Sequence, residues 1–151
     1  MAIANLLENI GYTVTKEYYV NDAGRQISIL TSSLLLNAYV KSFESDGTYE
    51  GDYIKELAKT FRSNFGELDK KIDFGLLDED KDIRLDAISK YFKTEFRDAW
   101  KEAKKFAVSE ILNLIKEDLH NFNIIHDHWF NESSLGLSLI HISEPTRLNP
   151  I

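Results

Sequence analysis

Glu17-Tyr18-Tyr19-Val20-Asn21-Asp22-Ala23-Gly24-Arg25-Gln26 is the stretch whose reading decides the fold. Tyr12, Val14, Tyr18 and Val20 share one parity, interrupted by Lys16, and the β-branched and aromatic content predicts a strand over residues 12–20. Asn21-Asp22 then offers a turn and an N-cap, in which Asp22 accepts backbone N–H groups and Gly24 allows close backbone approach. Ile27, Leu30, Leu34 and Ala38, flanked by Ile29, Leu35 and Leu36, predict a largely buried helix running to about Phe43. A strand entering a helix through a polar turn puts that turn at the strand's carboxyl end, where open α/β sheets bind ligands.

Working outward, Ile3, Leu6, Leu7 and Ile10 fall on one face of a short helix that Gly11 ends. Downstream, Asp46-Gly47 punctuates, and Ile54, Leu57, Ala58 and Phe61 form a helical stripe as far as Gly66. Residues 70–82 read as a charged loop. Leu85, Ile88, Phe92, Phe96 and Trp100 continue one helical face, and Val108, Ile111, Leu112, Ile115, Leu119 and Phe122 form another. Residues 124–130 read as a second strand, and 131–134 as the loop at its carboxyl end. The polar segment from Asp127 to Ser134 therefore joins Asn21 to Gln26 as a second motif following a strand. The fold class expected is α/β, with a large, mostly helical region over residues 43–122 between two strands.

With 151 residues, 43% hydrophobic, the chain is long enough to bury a core. It has no cysteine, which removes disulfides, thiolate zinc sites and cysteine nucleophiles. No apolar run is long enough to cross a bilayer, and residues 1–10 lack the cationic start of a secretory signal, so a cytoplasmic protein is expected. A formal net charge of -7 gives no broad basic footprint for nucleic acid, so any RNA contact has to be local.

Both prolines, Pro145 and Pro150, lie in a tail whose composition changes abruptly after Gly136. Leu137-Ser138-Leu139-Ile140-His141-Ile142-Ser143-Glu144-Pro145-Thr146-Arg147 matches, codon for codon, the translation of a transposase sequencing adaptor. Residues 137–151 are accordingly set apart from the fold, and residues 1–136 form the body. The tail holds one acid, Glu144, and one base, Arg147, so the body keeps the same net charge.

Three ordered segments resemble the arginyl-tRNA synthetases, a family of class I aminoacyl-tRNA synthetases. The first runs through Ala4-Asn5-Leu6-Leu7-Glu8, Gly11-Tyr12-Thr13-Val14 and Glu17-Tyr18-Tyr19-Val20 into Asn21-Asp22-Ala23-Gly24-Arg25-Gln26. The second is Tyr49-Glu50-Gly51-Asp52-Tyr53-Ile54-Lys55-Glu56-Leu57-Ala58. The third is Ile115-Lys116-Glu117-Asp118-Leu119 followed by Asp127-His128-Trp129-Phe130-Asn131-Glu132-Ser133-Ser134-Leu135, with Asn131 where the motif commonly has serine. The resemblance covers residues 2–135 and implies part of a Rossmann-like nucleotide-binding domain.

The resemblance further implies ATP, with magnesium, L-arginine and tRNA(Arg) as the whole enzyme's substrates, and neither a membrane nor DNA among its partners. It makes Glu132 the residue that receives the arginine guanidinium, and places Asn21, Asp22, Gly24, Gln26 and Asp127 in motifs near the active site. A carboxylate suits Glu132's task because its two oxygens accept parallel N–H bonds from the planar guanidinium fork. The family's HIGH-type signature, KMSKS-type loop and anticodon-binding domain are not found in this sequence, so no residue is assigned as catalytic and the polypeptide alone is expected to be inactive. Two strands with unpaired edges are expected to limit its independent stability.

Other features carry plainer readings. His126 and His128 form an H-x-H pair on one strand face without a third metal ligand, which favours packing or surface roles. Lys104-Lys105 is too small a basic cluster to argue for RNA binding and reads as a solvated helix face. Phe92, Phe96 and Trp100 suit helix packing better than base stacking. A second functional class remains open: a non-catalytic, acidic helical module binding a partner protein through residues 83–122. Adjacent parallel strands ending at Val20 and Phe130, with Asp22 and Glu132 on one crevice, would favour the synthetase reading.

Overall fold

The first strand is shorter than its apolar pattern, and Lys16 is the reason. The Lys16 carbonyl accepts the N–H of Asp127 at 2.7 Å and its own N–H donates to Asp127 Oδ2 at 2.7 Å, while its ammonium reaches Glu8 at 2.8 Å. These bonds hold Lys16 at the entry to the ladder, and β1 spans Glu17–Val20. The second strand, β2, spans His128–Asn131, and a 3-10 helix, Glu132–Leu137, follows it directly where a loop was expected. β1 and β2 pair in parallel with Glu17 opposite His128, Tyr18 opposite Trp129, Tyr19 opposite Phe130 and Val20 opposite Asn131.

That register matches side chain to side chain. Tyr18 stacks on Trp129 at 4.5 Å and Tyr19 on Phe130 at 6.2 Å, and His128 Nδ1 lies 2.9 Å from a Glu17 carboxylate oxygen. Aromatic pairs of this kind resist a one-residue slip, which would reverse the faces on which the rings lie.

The computed structural model describes residues 2–43 and 46–137; most of the adaptor-like tail, residues 138–151, lies outside them. The chain divides into two units, residues 1–22 with 124–151 and residues 23–123. The first holds α1 (Ala2–Asn9), β1, β2 and the 3-10 helix. The apolar stripe expected on α1 is present in sequence but unburied: Ile3 is 75% exposed and Leu6 65%.

The second unit is helical, with α2 (Gly24–Tyr39), α3 (Asp52–Phe65), α4 (Lys81–Glu95) and α5 (Arg97–Asn121). α2 packs against all three of the others. The middle of α2 is enclosed, and Thr31, Ser32 and Ser33 are fully buried there. Each hydroxyl is satisfied locally. Thr31 and Ser33 donate back to the carbonyls of Ile27 and Ile29 at 2.7 and 2.8 Å, and Ser32 shares a 2.8 Å bond with Ser89 of α4. Ser33 also accepts the Tyr49 N–H at 2.9 Å, anchoring the segment that leads into α3.

α2 ends at Tyr39, not Phe43, because β-branched Val40 takes extended backbone while its N–H closes the last turn on Leu36. Leu85, Ile88, Phe92, Phe96 and Trp100 are all buried as expected, but on two helices: the chain breaks at Phe96, whose φ of -128° and ψ of 50° separate α4 from α5. Asp80 begins α4 by accepting the N–H groups of Asp82 and Ile83 at 2.8 and 3.1 Å. Those bonds, Ile83's first, hold its carboxyl below the ordinary range. The second half of α5 departs from expectation: Val108, Ile111, Leu112, Ile115 and Leu119 remain partly exposed and Phe122 is 78% exposed. No helix is long and apolar enough to cross a membrane among the described residues.

Phe92, which has no exposed surface and touches the rings of Phe74, Tyr91 and Phe96, anchors this core. Phe92→Ala is expected to cost about 3–5 kcal/mol by urea unfolding. Ile3→Ala on the open stripe of α1 should cost well under 1 kcal/mol, and comparable losses at both positions would contradict this placement of the core.

Candidate functional site

Parallel pairing brings the carboxyl ends of β1 and β2 together, and with them the residues that follow each strand. β2 passes at once into the 3-10 helix, whose first N–H groups have no partner within the turn. The partner comes from the other strand. Asp22 Oδ1 accepts the Ser133 N–H at 2.7 Å and Asp22 Oδ2 accepts the Ser133 hydroxyl at 2.5 Å. Asp22 was expected to cap α2; instead α2 starts from Ala23 without a side-chain cap, and the Asp22 carboxylate caps the turn carrying Glu132.

Glu132 is half-buried at the head of that turn, next to the residue Asp22 holds. Tyr19, the third of β1's four residues, is coupled electrostatically to the same group. Loss of solvent raises the Tyr19 pKa above its ordinary value of 10.0, and the negative charges of Glu132 and then Asp22 raise it further. Two carboxylates and a neutral phenol thus share the strand ends, an arrangement that favours a cation. Sequence reading had passed over Tyr19. Its parity, opposite to the apolar Tyr18 and Val20 series, was the available signal.

The remaining motif residues are distributed differently. Asn21 is exposed on the turn after β1. Asp127 lies at the amino end of β2, bonded to the Lys16 backbone, so it is at the far end of the strand from Glu132. Gly24 and Gln26 belong to the second unit, at the start of α2. Gly24 has φ of +81° with no atom within 4 Å of a built Cβ, so glycine answers to backbone conformation there and not to close approach. The Gln26 amide oxygen stands 3.5 Å from the Tyr49 hydroxyl. Arg25 bridges to α4, its Nε on Asp86 at 2.9 Å and Nη2 on Asp82 at 3.0 Å.

The two histidines do not share a face. His126 precedes β2 and sits edge-on to Tyr18 and Trp129 at 5.3 and 5.7 Å, whereas His128 turns to Glu17. The bend at Asp127, where the chain meets Lys16, removes His126 from the strand's alternation. Among the described residues, no group of three or more His, Cys, Asp or Glu side chains is placed to hold a metal ion.

If the Asp22 cap fixes the turn, Asp22→Ala should cost about 2 kcal/mol, the scale of hydrogen bonds to a charged acceptor. Amide exchange at Ser133 should quicken more than tenfold. Unchanged protection at Ser133 would show that the turn stands without it. Glu132→Gln should bring the Tyr19 pKa down towards 10.0, followed by phenolate absorbance. The sign is that of an acid whose proton is held more tightly in the fold: this contribution to stability is full below pH 10 and lost as pH rises through the folded-state value.

No family model matches the chain, and no solved structure does. Curated proteins do match. An arginine--tRNA ligase of Psychrobacter sp. (strain PRwf-1) is 36% identical over 161 aligned positions, covering 90% of this chain and 26% of that protein. One from Acidithiobacillus ferrooxidans is 32% identical over 145 positions, covering 89% and 25%. One from Coxiella burnetii is 33% identical over 151 positions, covering 88% and 25%. Over close to nine-tenths of its length the chain is therefore similar to one stretch of these arginine--tRNA ligases, and it spans about a quarter of the length of the curated relatives it matches.

Proposed function

We propose that this chain is the arginine-recognising stretch of an arginine--tRNA ligase, with Glu132 as the receptor of the substrate guanidinium. The observation that carries the reading is the pairing of β1 and β2 in parallel, with Asp22 and Glu132 at their carboxyl ends and Asp22 fastening the turn on which Glu132 stands. Glu132 offers a planar acceptor to a planar donor fork, and two parallel N–H bonds give selectivity for shape as well as charge. Tyr19, as a neutral phenol, leaves the Glu132 carboxylate its charge and its acceptor capacity for the ligand. Asp22 adds a second negative charge to the same field.

In the whole enzyme the arginine carboxylate attacks the α-phosphate of ATP, pyrophosphate leaves, and the arginyl group of the adenylate passes to the terminal ribose of tRNA(Arg). This stretch contributes positioning: it fixes the side-chain end of arginine, so that the carboxylate end is presented to the phosphate. Magnesium would neutralise charge on the triphosphate and would enter with ATP, since the described residues supply no cluster of ligands for it. The two strands are read as part of a Rossmann-like nucleotide-binding domain acting in the cytoplasm. Residues 1–136 belong to it, with residues 43–122 as its helical region and 137–151 as an adaptor-derived tail. Asn21, Gly24 and Gln26 act in the turn and helix start that follow β1, and Asp127 through the strand's opposite end. An acidic helical interaction module gives no reason for parallel strands ending on paired carboxylates, so the adjacency supports the synthetase reading.

Titration of the full chain with L-arginine, L-lysine and L-citrulline, followed by amide shifts at Glu132 and Ser133, tests the assignment. Arginine should shift both amides and saturate, citrulline should leave them unmoved, and Glu132→Gln should weaken arginine at least tenfold. Arginine binding indifferent to Glu132→Gln would refute the assignment. The chain alone should show no arginine-dependent ATP–pyrophosphate exchange, because the charge-stabilising groups that act on the triphosphate are missing from its sequence. Turnover lost on Glu132→Ala would overturn that expectation.

A further inference from the structure

The helical unit holds one guanidinium of its own in a way that bears on the strand ends. Arg62 of α3 gives its Nε to Glu67 Oε1 at 2.9 Å and its Nη2 to the two Glu67 oxygens at 2.6 and 2.8 Å, so a carboxylate receives one edge of the planar fork. Tyr39 takes the face: the guanidinium carbon lies 5.5 Å from the centre of its ring. A carboxylate at the edge and a ring on the face do not compete, because they meet different parts of the same flat group.

The strand ends carry the same two partners. Successive strand residues point to opposite faces, which separates Tyr18 from Tyr19. On one face Tyr18 stacks on Trp129 at 4.5 Å with His126 edge-on at 5.3 Å, a closed aromatic group. On the other, Tyr19 lies beside Phe130, with 6.2 Å between ring centres and 28° between ring planes, and it is 54% exposed. Glu132 follows Phe130 by two residues. The two phenols respond to their surroundings in parallel. Loss of solvent raises both pKa values; Glu67 then raises that of Tyr39 while Arg62 lowers it, whereas Glu132 and Asp22 raise that of Tyr19. Among the described residues the cations lying over aromatic rings are Arg62 on Tyr39 and Lys93 on Trp100, both in the helical unit.

We infer that Tyr19 is a specificity-determining residue for arginine, its ring carrying one face of the substrate guanidinium while Glu132 receives the edge. This rests on the reading of Glu132 as the guanidinium receptor and adds to it a second test of shape. A carboxylate alone attracts any cation. A flat, delocalised and weakly hydrated guanidinium gains further from lying on a ring, whereas a lysine ammonium is compact, strongly hydrated and has no face to lay down. The ring does this work and the hydroxyl does not, as with Tyr39, whose hydroxyl is committed to the Gly66 carbonyl at 2.7 Å while its face meets Arg62.

Titration of the full chain with L-arginine, followed both by the Glu132 and Ser133 amides and by the δ-methylene protons of arginine, tests this. With the unaltered chain and with Tyr19→Phe those protons should move upfield, as they do over a ring, and the two affinities should agree within about twofold. Tyr19→Leu should weaken arginine about fivefold and abolish the upfield movement, with the Ser133 amide still protected. Undiminished affinity in Tyr19→Leu, or a loss in Tyr19→Phe as large as in Tyr19→Leu, would overturn the inference. Should Tyr19→Leu also expose the Ser133 amide, the unaltered chain decides, and δ-methylene protons that do not move upfield on it overturn the inference. The two readings fail separately. Arginine binding indifferent to Glu132→Gln but ordered by the Tyr19 variants removes Glu132 as receptor; binding weakened by Glu132→Gln but indifferent to the Tyr19 variants removes Tyr19 alone. No saturable arginine binding by the unaltered chain would overturn both.

Discussion

The carboxylate of Asp22, accepting both the backbone N–H and the hydroxyl of Ser133, is the contact on which the strand-end site depends. A strand that turns directly into a 3-10 helix leaves its first donors unpaired within the turn, at a cost unless another group accepts them. A residue from the neighbouring strand removes that cost only if the two strands are parallel and in one register. The aromatic pairs Tyr18 with Trp129 and Tyr19 with Phe130 set that register. Position of Glu132 is thus a consequence of packing several residues away.

The same principle works with different groups in the helical unit. α2 is surrounded by three helices and still carries Thr31, Ser32 and Ser33 in its centre. Thr31 and Ser33 back-bond to carbonyls one turn earlier, while Ser32 bonds Ser89 and the leftover capacity of Ser33 accepts the Tyr49 N–H, so that both tie segments together. Polar atoms become positional constraints inside an apolar core. Arg25 does similar work outside it, tying the first turn of α2 to Asp82 and Asp86 of α4, so its place in the motif has a structural explanation that calls for no ligand.

Much of this was legible in the sequence. Helical stripes at Ile54, Ala58 and Phe61 and at Leu85, Ile88 and Phe92 predicted the buried faces, because burial of one helix face imposes its period directly on the residues. Strand ends were less legible. Alternation ran back to Tyr12, but the ladder starts only at Glu17, where Lys16 commits its backbone to Asp127, a contact 111 residues away in sequence. The exchange of Asp22 from an α2 cap to a Ser133 cap was hidden for the same reason: both partners suit an aspartate, and only pairing decides between them. The α5 stripe shows the converse, since a regular apolar period from Val108 to Phe122 says what a face could bury and not that these residues bury it.

Charge gives the chain two unlike places, and average composition describes neither. At the strand ends the pKa of the Tyr19 phenol is raised, first by loss of solvent and then by the charges of Glu132 and Asp22. In the helical unit Lys93 is fixed by a hydroxyl and an aromatic ring, partners that position an ammonium without cancelling it. A hydroxyl or a ring positions an ammonium and leaves its charge in place, whereas the two carboxylates on Arg25 position a guanidinium and cancel its charge.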